Sequence, residues 1–298
     1  MSQSSESFAP DLKQAATEMS ALCEQLFPIC RSITGDGVRQ TLEMLSDFVE
    51  VRQIEVPSGK TVYDWVVPDE WNCREAYIEG PGGQRIVDFN DHSLHVVSYS
   101  TAVDEVLDLE ALNSHLHSLP EQPNLIPYRT SYYDDNWGFC LTDEQRSALE
   151  PGNYRVRIDS TREPGSLTYG EVFVPGRSDE EILVSTHICH PSLANDNLSG
   201  IAVASFLARH FAASPGQLHY GLRFIFIPAT IGAITWLAEN ESVQPNIVTG
   251  LVLSGVGDSG QLTYKKSRRG VGLSDRLLPE LMTEQNVAHE VRDSPRPY

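Results

Sequence analysis

No apolar run approaches the roughly 18 residues that a membrane-spanning helix needs. The opening MSQSSESFAPDLKQ lacks the basic stretch and apolar core of a secretory signal. Positive charge is scarce: 22 Lys and Arg face 41 Asp and Glu, a net charge of -19. Gripping a nucleic-acid backbone needs clustered cations to displace counterions, and the one short cluster, KKSRR at 265–269, is too small to reverse the balance. Nucleic acid and membrane are therefore excluded as expected partners. Cysteine is sparse as well. Cys23, Cys30, Cys73, Cys140 and Cys189 form an odd, widely spaced set, which fits a reducing compartment, the cytoplasm, better than a disulfide framework. Neither GxSxG nor HExxH occurs.

At 298 residues the chain has room for one large core or two smaller ones. Residues 1 to about 10 read as a tail. DLKQAATEMSALCEQLFPIC then spaces its apolar residues as a helix does, and a second amphipathic helix follows RSITGDG, through Leu42, Leu45 and Phe48. Arg31, Ser32 and Thr34 stand at that junction, either within a capped turn or facing a cleft. From Val51 short strand-like runs are divided by Gly, Pro and Asp, with GPGG at 80–83 as a hairpin turn and DLEALNSHLHSL as an acidic helix. IPYRTSYYDDNWGFCL combines aromatic and polar residues, which suits a pocket wall or a domain seam equally. Beyond it EILVSTHICH, SGIAVASFLARHFA, LHYGLRFIFIP, TIGAITWLAENE and IVTGLVLSGVG alternate strand and helix. That alternation predicts an α/β sheet, whose functional groups collect at the carboxyl ends of its strands.

Three such ends carry polar groups. EILVSTHICH delivers His187 and His190, LRFIFIPAT ends at Ala229 and Thr230, and GLVLSGVGDSG ends at Asp258. Asp196 lies between Asn195 and Asn197, just ahead of a helix. A histidine with carboxylates from neighbouring loops suits zinc, which accepts imidazole nitrogen and carboxylate oxygen. HICHPSLANDNLSG leaves other readings: a nonmetal binding pocket, an ordered loop and a Cys189 nucleophile. The nucleophile is the weakest, because cysteine is among the residues most often simply buried. Ser199 reads as a helix cap or a tight-packing residue.

STHICHPSLANDNLSG, followed by FIFIPATIGAITWL and LSGVGDSG, resembles the zinc-dependent aminopeptidase family of the di-zinc exopeptidase clan. CRSITGDGVRQTL, DWVVPDEWNCREAYI and SYYDDNWGFC extend the likeness to a bacterial group of aminopeptidase-like proteins, from about Glu18 to Tyr298. The resemblance implies an α/β fold with a mixed central sheet, flanking helices and a small β-rich inserted domain. The α/β domain would span residues 11–60 and 125–298, and the insertion 61–124. It further implies one or two zinc ions on His187, Asp196 and Asp258, and hydrolysis of the N-terminal amide of a small peptide or peptide-like conjugate. Arg31, His190, Tyr132, Tyr133 and Trp137 are the candidate substrate contacts, and a homo-oligomer is left open.

The chain departs from the family pattern at three places. Cys189 stands where an orienting carboxylate is expected two positions after the first histidine. Ala229 stands where the general-base glutamate is expected, and alanine cannot take a proton or bind a cation. The intact surroundings of Ala229 favour an inactivating substitution over natural loss. Finally, similar proteins continue beyond RDSPRPY and supply a further histidine ligand that His289, in NVAHEV, does not match, so a C-terminal truncation is expected. Two other readings stay open: an inactive binding protein, and an amidase or deacylase acting on a non-peptide amide.

Overall fold

The computed structural model describes residues 11–213 and 216–294. The expected tail at residues 1 to about 10 lies outside them. Helix Leu12–Leu26 starts where the Asp11 carboxylate accepts the backbone N–H groups of Lys13 and Gln14, and it buries Ala15, Leu22 and Leu26 along one stripe. Helix Asp36–Ser46 buries Val38, Leu42 and Leu45 in the same way. The turn between them requires glycine. Gly35 holds φ +102°, and a Cβ there would stand 2.2 Å from the Trp71 carbonyl oxygen.

The central sheet has five strands in the order Arg52–Pro57, Ser166–Val174, Gly221–Ile227, Glu181–His187 and Ile247–Leu253. The first two pairings are antiparallel and the last two parallel, so the sheet is mixed. Strand Gly221–Ile227 shows how its faces divide: Leu222, Phe224 and Phe226 join one core, while Ile225 and Ile227 join the other. Helices Leu12–Leu26, Asp36–Ser46 and Ser199–Ala212 cover the first face, and helix Ile231–Glu239, with Trp236, lies on the second. Arg223 is half-buried within the sheet and is held by both Glu171 and Glu181.

A second, four-stranded antiparallel sheet runs in the order Arg85–Asp88, Glu70–Glu79, Asn153–Glu163 and Val103–Asp108. Its apolar face contributes Ala76, Ile78, Val156 and Ile158 to the core, and its outer face carries a lattice of Arg85, Arg155 and Arg157 with Glu75 and Asp104. One of its strands, Asn153–Glu163, comes from well beyond residue 124. GPGG makes the hairpin turn into Arg85–Asp88, with Gly83 at φ +78° and its N–H on the Gly80 carbonyl. Together these elements form an α/β fold, as the alternation of segments predicts, with the mixed central sheet and flanking helices that the resemblance implies and with smaller β-sheets beside them.

The acidic stretch DLEALNSHLHSL is helical only at Leu109–Asn113. Beyond it Leu116–His117 pairs with Phe139–Cys140, and the His115 ring stacks on Trp137 at 3.6 Å between centroids. These longer-range contacts outweigh the local preference for another helical turn. Among the described residues, no helix is long and apolar enough to cross a membrane.

Candidate metal centre

His187 is the last residue of strand Glu181–His187 and pairs in register with Ile227, the last residue of Gly221–Ile227. The parallel pairing therefore places it at the carboxyl edge of the sheet. The chain then turns through His190 and returns across the edge at Asp196, before helix Ser199–Ala212 begins. His187 Nε2 lies 2.8 Å from Asp196 Oδ1, and His190 Nδ1 lies 3.3 Å from Asp196 Oδ2. The two imidazole rings meet edge to face at 4.7 Å. All three ligating atoms lie within 4.8 Å of one another, and among the described residues this is the single group of three such side chains so placed. Donors on a tetrahedral ion with bonds of about 2.0–2.2 Å stand roughly 3.3 Å apart, so the spacing fits one metal ion. Burial, together with the neighbouring His190, lowers the His187 pKa below the usual imidazole value, which favours the neutral, metal-binding form.

The support beneath this group comes from Asn197. Its buried amide reaches Thr186 Oγ1 at 2.8 Å, the Leu253 carbonyl at 3.2 Å and the second ring nitrogen of His187 at 3.3 Å. Its Oδ1 accepts the Gly255 N–H at 3.2 Å. One side chain thus ties two strand ends to the ligand loop. Gly200 is required next to it, since a Cβ there would stand 2.6 Å from the Leu253 carbonyl oxygen. Ser199 does not cap the helix. Its hydroxyl donates to the Asn195 carbonyl at 2.7 Å and accepts from Val256 N–H at 3.1 Å, which is the tight-packing alternative.

The other expected site residues fall in different places. Asp258 is exposed and stands outside the three-residue group; its carboxylate accepts from Asn195 Nδ2 at 2.8 Å and from Gly260 N–H at 2.7 Å. His190, expected as a substrate contact, lies inside the group. Ala229 follows strand Gly221–Ile227, half-buried, and gives its N–H to Cys189 Sγ at 3.2 Å. Thr230 beside it has φ +58° and ψ -74°, closed by an Ile231 N–H to Ala229 carbonyl bond of 2.8 Å. This is the rare positive-φ form of the γ-turn, a strained conformation for threonine. Cys189 is fully buried, and burial pushes its thiol up to about 11, which removes it as a nucleophile.

Arg31 is fully buried beneath the loop, with its Nε 3.0 Å from the His190 carbonyl. Tyr132 reaches the site indirectly: its hydroxyl lies 3.0 Å from that of Tyr128, whose ring packs on His190 at 4.8 Å. Tyr133 bonds the Val66 carbonyl and Trp137 stacks on His115, so neither joins the metal group. Sequence reasoning missed Tyr128 and Asn197. The signal for Tyr128 was its place in the aromatic block IPYRTSYYDDNWGFCL, and for Asn197 its position next to Asp196.

Residues 20–296 match the domain family described as Domain of unknown function (DUF4910). The chain belongs to this DUF4910 family. A candidate polysaccharide biosynthesis protein with an aminopeptidase-like domain, from Clostridium acetobutylicum, is 45% identical over 276 residues, 93% of this chain. The DUF4910 chain spans 63% of the length of that relative. The crystal structure of a candidate peptidase from Clostridium acetobutylicum superposes with a TM-score of 0.92 at 43% identity, over 95% of this chain and 67% of that one. A zinc aminopeptidase from Bacillus subtilis shares the fold at a TM-score of 0.64, with 12% identity over 95% of this chain and 79% of its own. The DUF4910 chain thus combines an aminopeptidase-like fold with one His–His–Asp group, among the described residues, able to coordinate one metal ion.

Proposed function

We propose that this chain is built as a zinc-dependent, aminopeptidase-like hydrolase of the cytoplasm, acting on the N-terminal amide of a small peptide or peptide-like conjugate, and that alanine at 229 silences it. The observation that carries the reading is the convergence of His187, His190 and Asp196 at the carboxyl edge of the sheet. Zinc held there would supply Lewis-acid polarisation of the scissile carbonyl. We assign Asp258 as a further carboxylate ligand, because Asn195, the neighbour of Asp196, tethers it to the same loop.

The protein's own groups do the remaining work. Asn197 holds the His187 ring, and Tyr128 packs on the His190 ring with its hydroxyl bonded to that of Tyr132. Ala229 has a methyl group where a proton acceptor would have to stand, at the end of the neighbouring strand. The same alanine favours a second reading, a protein that binds an amide-bearing ligand without cleaving it.

The test is Ala229→Glu in the zinc-loaded chain, assayed against dipeptides, amino-acid amides and acylated amines. Zinc-dependent release of N-terminal amino acids by the variant, and none by the parent chain, supports the hydrolase. Release of acyl groups alone would move the assignment to an amidase. A variant that binds zinc and cleaves no member of the panel would leave the binding protein.

A further inference from the structure

Arg31 has an unusual environment for an arginine. It is 0% exposed, and among the described residues it forms no ion pair. Its guanidinium spends its donors on neutral oxygens: Nη1 on the Leu26 carbonyl at 2.7 Å and on Thr41 Oγ1 at 3.4 Å, and Nε on the His190 carbonyl at 3.0 Å. Nη2 is buried without a partner. Burying a cation without a carboxylate is costly, and an apolar side chain of similar size would ordinarily serve packing better. The three acceptors come from three separate pieces of chain: the end of helix Leu12–Leu26, helix Asp36–Ser46, and the loop between His187 and Asp196. Holding all three at once needs the planar, multiply donating fork that arginine has and lysine lacks.

The third acceptor decides what this arrangement does. The backbone that receives Arg31 Nε–H is the one from which the His190 imidazole projects toward Asp196, 3.3 Å away, while the Tyr128 ring packs against it at 4.8 Å. A residue with no exposed surface cannot meet a solute, so direct substrate contact is ruled out for Arg31. We propose that Arg31 is a positioning residue of the metal centre, fixing the His190 carbonyl so that the His190 imidazole stands within ligating distance of His187 and Asp196. The proposal rests on the reading of that group as a metal site.

A double-mutant cycle on the full chain tests it, with zinc titrated calorimetrically into Arg31→Met, His190→Ala and the double variant, and with the visible spectrum of each recorded with Co(II). If Arg31 acts through His190, Arg31→Met lowers zinc affinity by roughly 10–100-fold, the range for partners that orient ligands. The double variant then binds no more weakly than His190→Ala alone, within about twofold, and Arg31→Met gives the same Co(II) spectrum as His190→Ala. Arg31→Met binding zinc as tightly as the parent, or losses that add in full, would overturn the proposal. Should Arg31→Met fail to fold, Arg31→Lys takes its place in the same cycle; failure of both to fold means that Arg31 serves the fold as a whole, which also overturns it. The parent titration separates this outcome from failure of the site reading, because a parent chain that takes up no zinc removes the metal centre itself.

Discussion

Asp196 Oδ1 stands 2.8 Å from His187 Nε2, although a loop that reverses across the sheet edge separates the two residues in sequence. An exposed carboxylate held this close to a half-buried imidazole is a joint that a cation can open and occupy. Zinc is therefore expected to raise the melting temperature of the parent chain. A ligand at 100 times its dissociation constant stabilises by about 2.7 kcal/mol. Chelation should reverse the shift, and Asp196→Ala should abolish it. Differential scanning calorimetry with and without zinc checks this, and an undiminished shift in Asp196→Ala would place the metal elsewhere.

Cys189 offers a second measurement. Its sulfur accepts the Ala229 N–H, and burial holds the thiol at about 11, far above the free value. Iodoacetamide at pH 8 is expected to leave Cys189 unmodified in the native chain and to label it after unfolding. Cys189→Ala should bind zinc within about twofold of the parent, since an interior thiol reacts and ligates poorly. Mass spectrometry of the labelled peptides decides the first point, and rapid native labelling would contradict the burial.

The ion cluster inside the central sheet predicts a stability effect. Arg223 Nη1 lies 2.7 Å from Glu171 and its Nε 2.6 Å from Glu181, with both carboxylates buried. Trp236 Nε1–H adds a bond to Glu171 at 3.2 Å. Arg223→Met should cost about 3–5 kcal/mol, because it strands the buried Glu181 carboxylate and leaves Glu171 with Arg52 as its one cation, at 2.8 Å. Replacing the arginine and both glutamates with apolar residues of like volume should recover most of that loss. Urea unfolding of the two variants reads the difference, and a single substitution costing under about 1 kcal/mol would show the cluster to be inert.

Acid should loosen the C-terminal segment first. The Asp275 carboxylate accepts from Ser267 N–H, Ser267 Oγ–H, Gly272 N–H and Tyr264 O–H, and these bonds hold its pKa at about 2 against burial, compared with 3.8 for the free group. Because the folded value lies below the unfolded one, its contribution is complete above about pH 4 and disappears as the pH falls toward 2. Amide exchange at Leu262–Lys265 and His289–Arg292 should accelerate across that window. Asp275→Asn should exchange faster already at pH 6 and show a flatter response to acid; an unchanged profile would remove the carboxylate as the cause.

Much of this was legible before any fold was known. HICHPSLANDNLSG points to His187 and Asp196 as ligands, because its first histidine ends an apolar strand and its aspartate precedes an amphipathic helix, whereas His190 reads there as a substrate contact. The positions of the main helices and central strands follow from their apolar periods. Less legible were contacts between segments that local pattern does not relate. Tyr128 packs on His190 at a separation of 62 positions, and Arg31 reaches the same residue at a separation of 159. Helix Leu109–Asn113 ends early because a strand pairing and the His115–Trp137 stack compete with it, and both depend on residues more than twenty positions away.

By itself the sequence determined the alternation of strand and helix, the poverty in positive charge, the histidines and carboxylates available as ligands, and the alanine at 229. These properties belong to residue identity and local spacing, which need no knowledge of what lies across the chain. Only the tertiary structure decided that His190 joins His187 and Asp196, that Asp258 rests on Asn195 outside their group, and that Arg31 lies sealed beneath the loop. The reason is geometric: a ligand set is defined by distances of a few ångströms between separate elements, and those distances exist only once the sheet has brought its strand ends together.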